Sequence, residues 1–252
     1  MTTPFTYDFG YSWSISWGLM VPIALFGALA AAALWLKWRR WIVFVSALGM
    51  AWGIAGLFIT HVLFRINLPM APPTDGFASS GAGRFVDVGA GSGRATVGLL
   101  LARPRATVTA VDIYKGYYGI DDNTPDRLMR NASIAGVADR ATAIVGDARE
   151  LPLENGAYDG VISVAAIDHL PRAGIPKALS EVARVLKPRG EFLLAVVNVD
   201  AWARLASPHA LGHHPGANAG RWRNLLETAG FSVVEQGTQP GVLYFLCRKA
   251  RA

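Results

Sequence analysis

Two patterns of hydrophobic and polar positions divide the chain. From Ser12 to Leu36 no residue is charged, and from Trp41 to Phe64 none is either, apart from His61. Each run exceeds the roughly 20 residues that a helix needs to cross about 30 Å of hydrocarbon. The pattern predicts two transmembrane helices, about 12–36 and 41–64, joined by the turn "KWRR" and preceded by a short tail over 1–11. Two buried core helices of a soluble protein are the alternative. A secretory signal peptide does not fit, since the stretch lacks a positive start and a small-residue cleavage site. From residue 84 onward, short apolar runs alternate with segments of helical period. The strands are read at "RFVDVG", "ATVTAVDI", "ATAIVG", "YDGVISV", "GEFLLAVVNV", "FSVVEQG" and "VLYFLCRK", with helices near 94–103, 125–136, 174–186 and 219–229. Such alternation implies a mainly parallel sheet covered on both faces. The last two strands, separated by "TQP", predict an antiparallel hairpin at one edge. Between the two patterns, residues 66–83 are rich in Pro, Gly and Ser and read as a linker to a domain over 84–252.

Composition sharpens the first pattern. The chain of 252 residues is 52% hydrophobic and 17% charged, and the apolar excess sits in the two N-terminal runs. Tyr11, Trp13 and Trp17 lie at one end of the first run and Trp35, Trp38 and Trp41 at the other, as an interfacial aromatic belt would. Gly49, Gly53 and Gly56 form a small-residue face that suits packing against the Ala-rich first helix or against a second copy of the chain. Sidedness is contested: Lys37, Arg39 and Arg40 in the turn outnumber Arg65, so the positive-inside rule puts the turn in the cytoplasm and the domain outside. The net charge of +6 has no basic cluster beyond "KWRR" and gives no reason to infer nucleic-acid binding. One cysteine, Cys247, excludes an intrachain disulfide.

The chemistry starts at "RFVDVGAGSGRATVGLL", residues 84–100, a strand, a glycine turn and a helix. A dinucleotide site wants G-x-G-x-x-G. Here Asp87, Gly89, Gly91 and Gly93 are spaced D-x-G-x-G-x-G, and Arg94 follows, which disfavours a dehydrogenase. The next strand ends in Asp112, placed where a carboxylate would accept both hydroxyls of a ribose, and the third ends in "GDA" with Asp147. "YDGVISVAAIDHL" and "ALSEVARVLKPRGEFLLAV" complete the series. Together these motifs resemble the class I S-adenosylmethionine-dependent methyltransferases, in particular the small-molecule group that includes quinone and sterol methyltransferases, over residues 84–248.

The resemblance implies a Rossmann-like domain with a seven-stranded, mainly parallel sheet, preceded here by the two apolar helices. It implies S-adenosyl-L-methionine as cofactor and S-adenosyl-L-homocysteine as product. Carried over by position, Asp87, Gly89, Ala90, Gly91 and Gly93 cradle the methionine end. Asp112 takes the ribose, with Ile113 beside it. Gly146, Asp147 and Ala148 flank the adenine, and Ser163 and Val164 close beneath the methionine. No metal is implied. Sulfonium is a good leaving group, so the protein has chiefly to align an acceptor and exclude water, with a general base only where the acceptor must lose a proton.

Candidates for that base are Asp168 and His169, after the fourth strand, and His213 and His214 in "SPHALGHHPGANAG". His169 could equally hold the following loop. His209, His213 and His214 could contact the acceptor, bind a metal or lie in a solvated loop. The insertion after Asp112, carrying Tyr114, Tyr117 and Tyr118, reads either as a flap over the cofactor or as a loop docked on the sheet. Thr124 and Pro125 then open a helix as N-cap and first-turn residue. The cofactor is made in the cytosol, which places the domain there against the charge bias. A membrane anchor suggests a lipophilic acceptor: a quinone or phenol, a phospholipid amine or a thiol. The nonenzymatic alternative is a cofactor-binding scaffold or sensor.

Overall fold

In the computed structural model, residues 6–115, 119–206 and 218–250 are described. The domain is built on one seven-stranded sheet of order β3-β2-β1-β4-β5-β7-β6. Its strands are β1 (Ala82–Val88), β2 (Arg105–Asp112), β3 (Ala141–Val145), β4 (Tyr158–Val164), β5 (Leu186–Val197), β6 (Phe231–Gln239) and β7 (Val242–Lys249). The first five are parallel, and β7 runs antiparallel to both β5 and β6, so the edge hairpin expected from the sequence is present. Strand β5 begins earlier than its apolar run, because "KPRG" passes through a register shift with Arg189 at φ 64° rather than forming a free turn.

Before the sheet come α1 (Trp13–Ser16), α2 (Met20–Trp35) and α3 (Arg40–Phe58). Within the domain lie α4 (Arg94–Ala102), α5 (Pro125–Ile134), α6 (Gly174–Val185), α7 (Ala201–Ala206) and α8 (Ala219–Thr228). The four helices expected in the domain fall within two residues of their places. Thr124 caps α5 by accepting the Arg127 N–H, with Pro125 at its first position, as its sequence suggested. One face of the sheet is filled by α6 and α8 through Leu179, Val182, Trp222 and Leu226 against Phe192 and Phe245. The other is filled by α4 through Leu99 and Leu100 with Val97, together with Phe77 and Phe85.

The N-terminal part departs from the hydropathy pattern. The first apolar run is not one helix. A single turn, α1, is followed by the 16-residue α2, about 24 Å long at 1.5 Å per residue. That is shorter than the hydrocarbon thickness. Among the described residues only Arg40–Leu63, α3 with a π turn over Ile59–Leu63, is long and apolar enough to cross a membrane, at a mean hydropathy of 2.2. The break has a tertiary cause. The start of the run is claimed by the domain: the Ser12 N–H donates to the Gly119 carbonyl and Tyr11 forms a β-bridge with Ile120. His61 in the π turn then ties the two legs together, with Nε2 2.7 Å from the Ser16 carbonyl oxygen, Nδ1 bonded to the Asn67 amide and its ring stacked on Trp17. The glycine face of α3 is occupied within the hairpin. Phe26 lies over Gly49, Ile23 over Gly53 and Leu19 over Gly56, so it is not open to a second copy of the chain.

The segments outside the domain pattern are built into the core. Tyr7 and Phe9 are buried with Phe77, although residues 1–11 read as a tail and 66–83 as a linker. Asn131 of α5 receives the Asp8 N–H on its side-chain oxygen and donates to the Asp8 carbonyl. On the other leg, the Arg94 guanidinium donates to the carbonyls of Phe64, Arg65 and Leu68, while the Met70 N–H donates back to the Arg94 carbonyl. Gly98 permits that crossing, since a Cβ there would stand 1.9 Å from the Met70 carbonyl oxygen. Gly98→Ala is therefore expected to destabilise the protein by about 1–3 kcal/mol, the usual cost of overpacking, read from denaturant unfolding. An unchanged midpoint would mean that residues 64–71 are not held against α4.

Candidate functional site

The site forms where the sheet changes direction of winding. Strand β1 pairs with β2 on one side and β4 on the other, and the chain leaves their carboxyl ends in opposite directions, opening a crevice there. Asp87 near the end of β1 is paired across the sheet with Ala110 and with Ile162. The glycine turn after it is folded back onto β2: the N–H groups of Gly89 and Ala90 both donate to the Val111 carbonyl. Gly89 and Gly93 are required there. They hold φ 75° and 86°, and a Cβ would meet Ala166 at 2.1 Å and Leu128 at 2.7 Å.

Asp112 closes the turn. Its Oδ2 accepts the Gly91 N–H at 2.9 Å, and its Oδ1 accepts the Tyr114 N–H at 2.7 Å and the Asn123 amide at 3.2 Å. Asp87 is held differently. Its Oδ2 accepts the Thr96 hydroxyl at 2.6 Å, while Oδ1 is buried with no partner among the described residues. Burial, with the nearby Asp112 charge adding to it, pushes the Asp87 carboxyl up to about 7, against the hydrogen bond from Thr96. The Ser92 hydroxyl, the Tyr114 hydroxyl and the Asn123 oxygen are likewise buried and unpartnered among the described residues. Tyr114 is close enough to Asp112 and Asp87 for their charges to raise its hydroxyl further after burial. Leaving such groups unpaired is costly. Orphaned acceptors and hydroxyls around Asp87 and Asp112 fit a ligand with a cationic end and a polyhydroxylated end.

The remaining expected cofactor residues fall around this cradle with different partners. Ser163 is buried on β4 and donates to the Val88 carbonyl at 2.8 Å, so it braces β1 against β4. Val164 follows it, and Ala165 takes φ 48°. Ile113 is 39% exposed beside Asp112. The Gly146 N–H donates to the Asp112 carbonyl, placing Asp147 and Ala148 after β3. The Asp147 carboxylate is gripped by the Arg149 guanidinium and N–H, which hold its pKa below the usual carboxylate range.

Asp168 and His169 lie together in a 3₁₀ turn, Ile167–His169. Asp168 Oδ2 accepts the Val197 N–H at 2.9 Å, fixing the loop after β4 to the end of β5, and Oδ1 is 3.3 Å from His169 Nδ1. That hydrogen bond raises the His169 imidazole above its ordinary value, against burial. Tyr117, Tyr118, His209, His213 and His214 lie outside the described residues. Among the described residues no cluster of His, Cys, Asp or Glu could hold a metal ion. Sequence reasoning did not single out Thr96, Asn123 or Asn131, which also bonds the Ser92 carbonyl. Only Asn123 left a trace, as a polar residue just before a helix cap.

The comparisons with known proteins agree with this geometry. A family model described as a methyltransferase domain matches residues 85–190, the stretch carrying the glycine turn, Asp112, Asp147 and Asp168. The matched stretch is similar to the methyltransferase domains that use S-adenosylmethionine. The chain is 30% identical over 172 residues to a malonyl-[acyl-carrier protein] O-methyltransferase of Geobacter sulfurreducens, covering 64% of this chain and 60% of that one. It is 32% identical over 170 residues to a ubiquinone/menaquinone biosynthesis C-methyltransferase of Bartonella bacilliformis, covering 63% and 60%. The chain thus spans about three fifths of these relatives. Among solved structures, a methyltransferase of Aquifex aeolicus superposes with a TM-score of 0.50 at 16% identity, over 66% of this chain and 81% of that one. The cyclase SpnF gives 0.52 at 17%, over 68% and 76%. These likenesses show the fold, which hosts more than one chemistry.

S-adenosylmethionine, the cofactor of such domains, has a cationic amino-acid end that would meet the Asp87 carboxylate and a ribose that would meet Asp112 if it bound here. Because the folded-state value of Asp87 lies above its unfolded one, 3.8, the folded protein holds an extra proton between about 4 and about 7. Its stability falls as pH rises through that window. A bound ammonium favours the carboxylate, so S-adenosylhomocysteine should bind more tightly as pH rises from 5.5 to 7.5, by up to about tenfold per unit below 7. Calorimetry should show proton release on binding, and Asp87→Asn should abolish both. A pH-independent affinity in the native protein would separate Asp87 from the ligand.

Proposed function

We propose that the chain is a membrane-anchored methyltransferase that passes the methyl group of S-adenosylmethionine to a small lipophilic acceptor by in-line displacement. The observation that carries this reading is the combination of the cradle at Asp87 and Asp112 with an apolar hairpin whose two legs are bonded to either side of it. The hairpin is the anchor, and the domain faces the cytosol, where the cofactor is made. Two relatives bear names that include quinone C-methylation and malonyl-carrier O-methylation. Of these chemistries, a quinone or phenol suits a site held at a bilayer, because anchoring raises the local concentration of a lipid-dissolved acceptor. A phospholipid amine or a thiol is served by the same arrangement.

The cofactor supplies an activated methyl on sulfonium, and the protein's own part is alignment and proton handling. Asp87 would hold the cationic end, Asp112 and the backbone of the glycine turn would hold the ribose, and Ser163 keeps the floor between β1 and β4 rigid. Asp168 orients His169 through Nδ1, so that the opposite ring nitrogen would take the proton from an acceptor hydroxyl. A base must be neutral to act. The raised value of His169 therefore predicts kcat/KM rising with pH through an apparent pKa above the ordinary 6.5 of histidine. His169→Ala should lower the rate by about 10²-fold or more for a hydroxyl acceptor, and Asp168→Asn should move the profile to lower pH.

The direct test uses detergent-purified protein, methyl-labelled cofactor, and two acceptor pools: membrane lipid extract and cytosolic small molecules. Label should enter the organic phase with the native protein and be lost with Asp112→Ala, which also loses S-adenosylhomocysteine affinity at least tenfold. Label confined to the aqueous pool would refute the lipophilic acceptor. No label in either pool, with cofactor affinity intact, would favour a cofactor-binding scaffold or sensor.

A further inference from the structure

Asp112 has fewer free acceptor places than a ribose has hydroxyls. A carboxylate offers about four lone-pair places on its two oxygens. The Tyr114 N–H and the Asn123 amide take two on Oδ1, and the Gly91 N–H takes one on Oδ2. Among the described residues one place is left, on Oδ2. A vicinal diol brings two O–H donors, so Asp112 alone is one acceptor short of a ribose. The missing acceptor stands beside it. Asn123 donates its amide nitrogen to Asp112 Oδ1 at 3.2 Å, and its own side-chain oxygen is buried with no partner among the described residues. Chemistry fixes which amide atom is which: an ionised carboxylate only accepts, so the nitrogen must face Asp112 and the oxygen is the atom left over.

Asn123 is held from both sides. It directly precedes Thr124, which is extended (φ −142°, ψ 152°) as a residue before proline prefers, and which caps α5 by accepting the Arg127 N–H. On its other side, the Asp121 N–H donates to the Gly10 carbonyl. The Arg127 guanidinium donates to the Asp121 carbonyl and pairs with Asp122 at 3.4 Å. An acceptor fixed in this way loses little freedom when a ligand arrives. Burying it unpaired is costly, and a ligand hydroxyl would relieve that cost.

We propose that Asn123 is a cofactor-contacting residue: its Oδ1 accepts one ribose hydroxyl while Asp112 Oδ2 accepts the other. Ribose recognition is then divided between the end of β2 and the segment that opens α5. With the Asn123 nitrogen committed to Asp112, both places only accept. The pair therefore reads free hydroxyls and rejects a ribose that carries phosphate on either one. This rests on the cofactor reading above and assigns it a second residue.

The test is calorimetric binding of S-adenosylhomocysteine and of its 2′-deoxy and 3′-deoxy analogues to the detergent-purified full chain. In the native protein each analogue should bind about tenfold or more weakly than the parent, the usual scale of one lost hydrogen bond to a buried partner. In Asn123→Ala one of the two losses should vanish and the other should persist. Asn123→Leu keeps the bulk of the side chain without its acceptor and gives the same comparison should the alanine variant unfold. Persistence of both losses would overturn the proposal, because Asn123 would then touch neither hydroxyl. A fall of both together would also overturn it, leaving Asn123 only to orient Asp112. A native protein that binds none of the three ligands would defeat the cofactor reading itself, and this proposal with it.

Discussion

A side-chain hydrogen bond, from the Gly91 N–H to Asp112 Oδ2, completes the joining of the glycine turn to the end of β2 that the Gly89 and Ala90 bonds to the Val111 carbonyl begin. The glycine turn leaves β1 and Asp112 ends β2, so the bond converts two neighbouring strand ends into one concave wall. The turn can reach Asp112 only because Gly89 and Gly93 adopt conformations that side chains resist, and because Ala166 and Leu128 fill the space a Cβ would need. Asp112 in turn organises the segment that leads to α5, receiving Tyr114 and Asn123 on its other oxygen. Asp87, held by Thr96 alone among the described residues, is left with an unbalanced acceptor.

The same wall receives the hairpin. Ile120, which would touch a side chain at Gly91, pairs with Tyr11 on the first leg. Arg94, directly after the last glycine of the turn, grips three carbonyls of the second leg. An arginine there is out of place for a dinucleotide turn but suits a helix start that must bind a descending chain. The apolar hairpin and the cradle are therefore mechanically continuous, and α7 adds a further contact through the Trp52 bond to Leu205.

Chemically the arrangement contains two distinct carboxylate units. Asp87 and Asp112 differ in environment, one buried and pushed toward neutrality and the other satisfied by three donors. Asp168 and His169 form a second unit, in which a carboxylate with one oxygen committed to the β5 backbone uses the other to orient an imidazole. That pairing raises the basicity of the ring and leaves it partly exposed.

The sequence by itself determined the sheet domain, since strand and helix are written in local periodicity. It also located Asp87, the glycines and Asp112, because a turn approached closely by backbone tolerates few residue types. Thr124 and Pro125 declared the start of α5 for the same local reason. Tertiary structure alone decided what hydropathy could not. Residues 12–19 are as apolar as a membrane helix, but Ser12 and Tyr11 bond to residues 119 and 120, more than a hundred positions away. Tyr7, Phe9 and Phe77 read as tail and linker because core membership depends on what covers a residue, and their cover comes from α4 and α5. Arg94, Asn123 and Thr96 acquired their roles the same way: a side chain's partner is fixed by three-dimensional proximity, which periodicity does not encode.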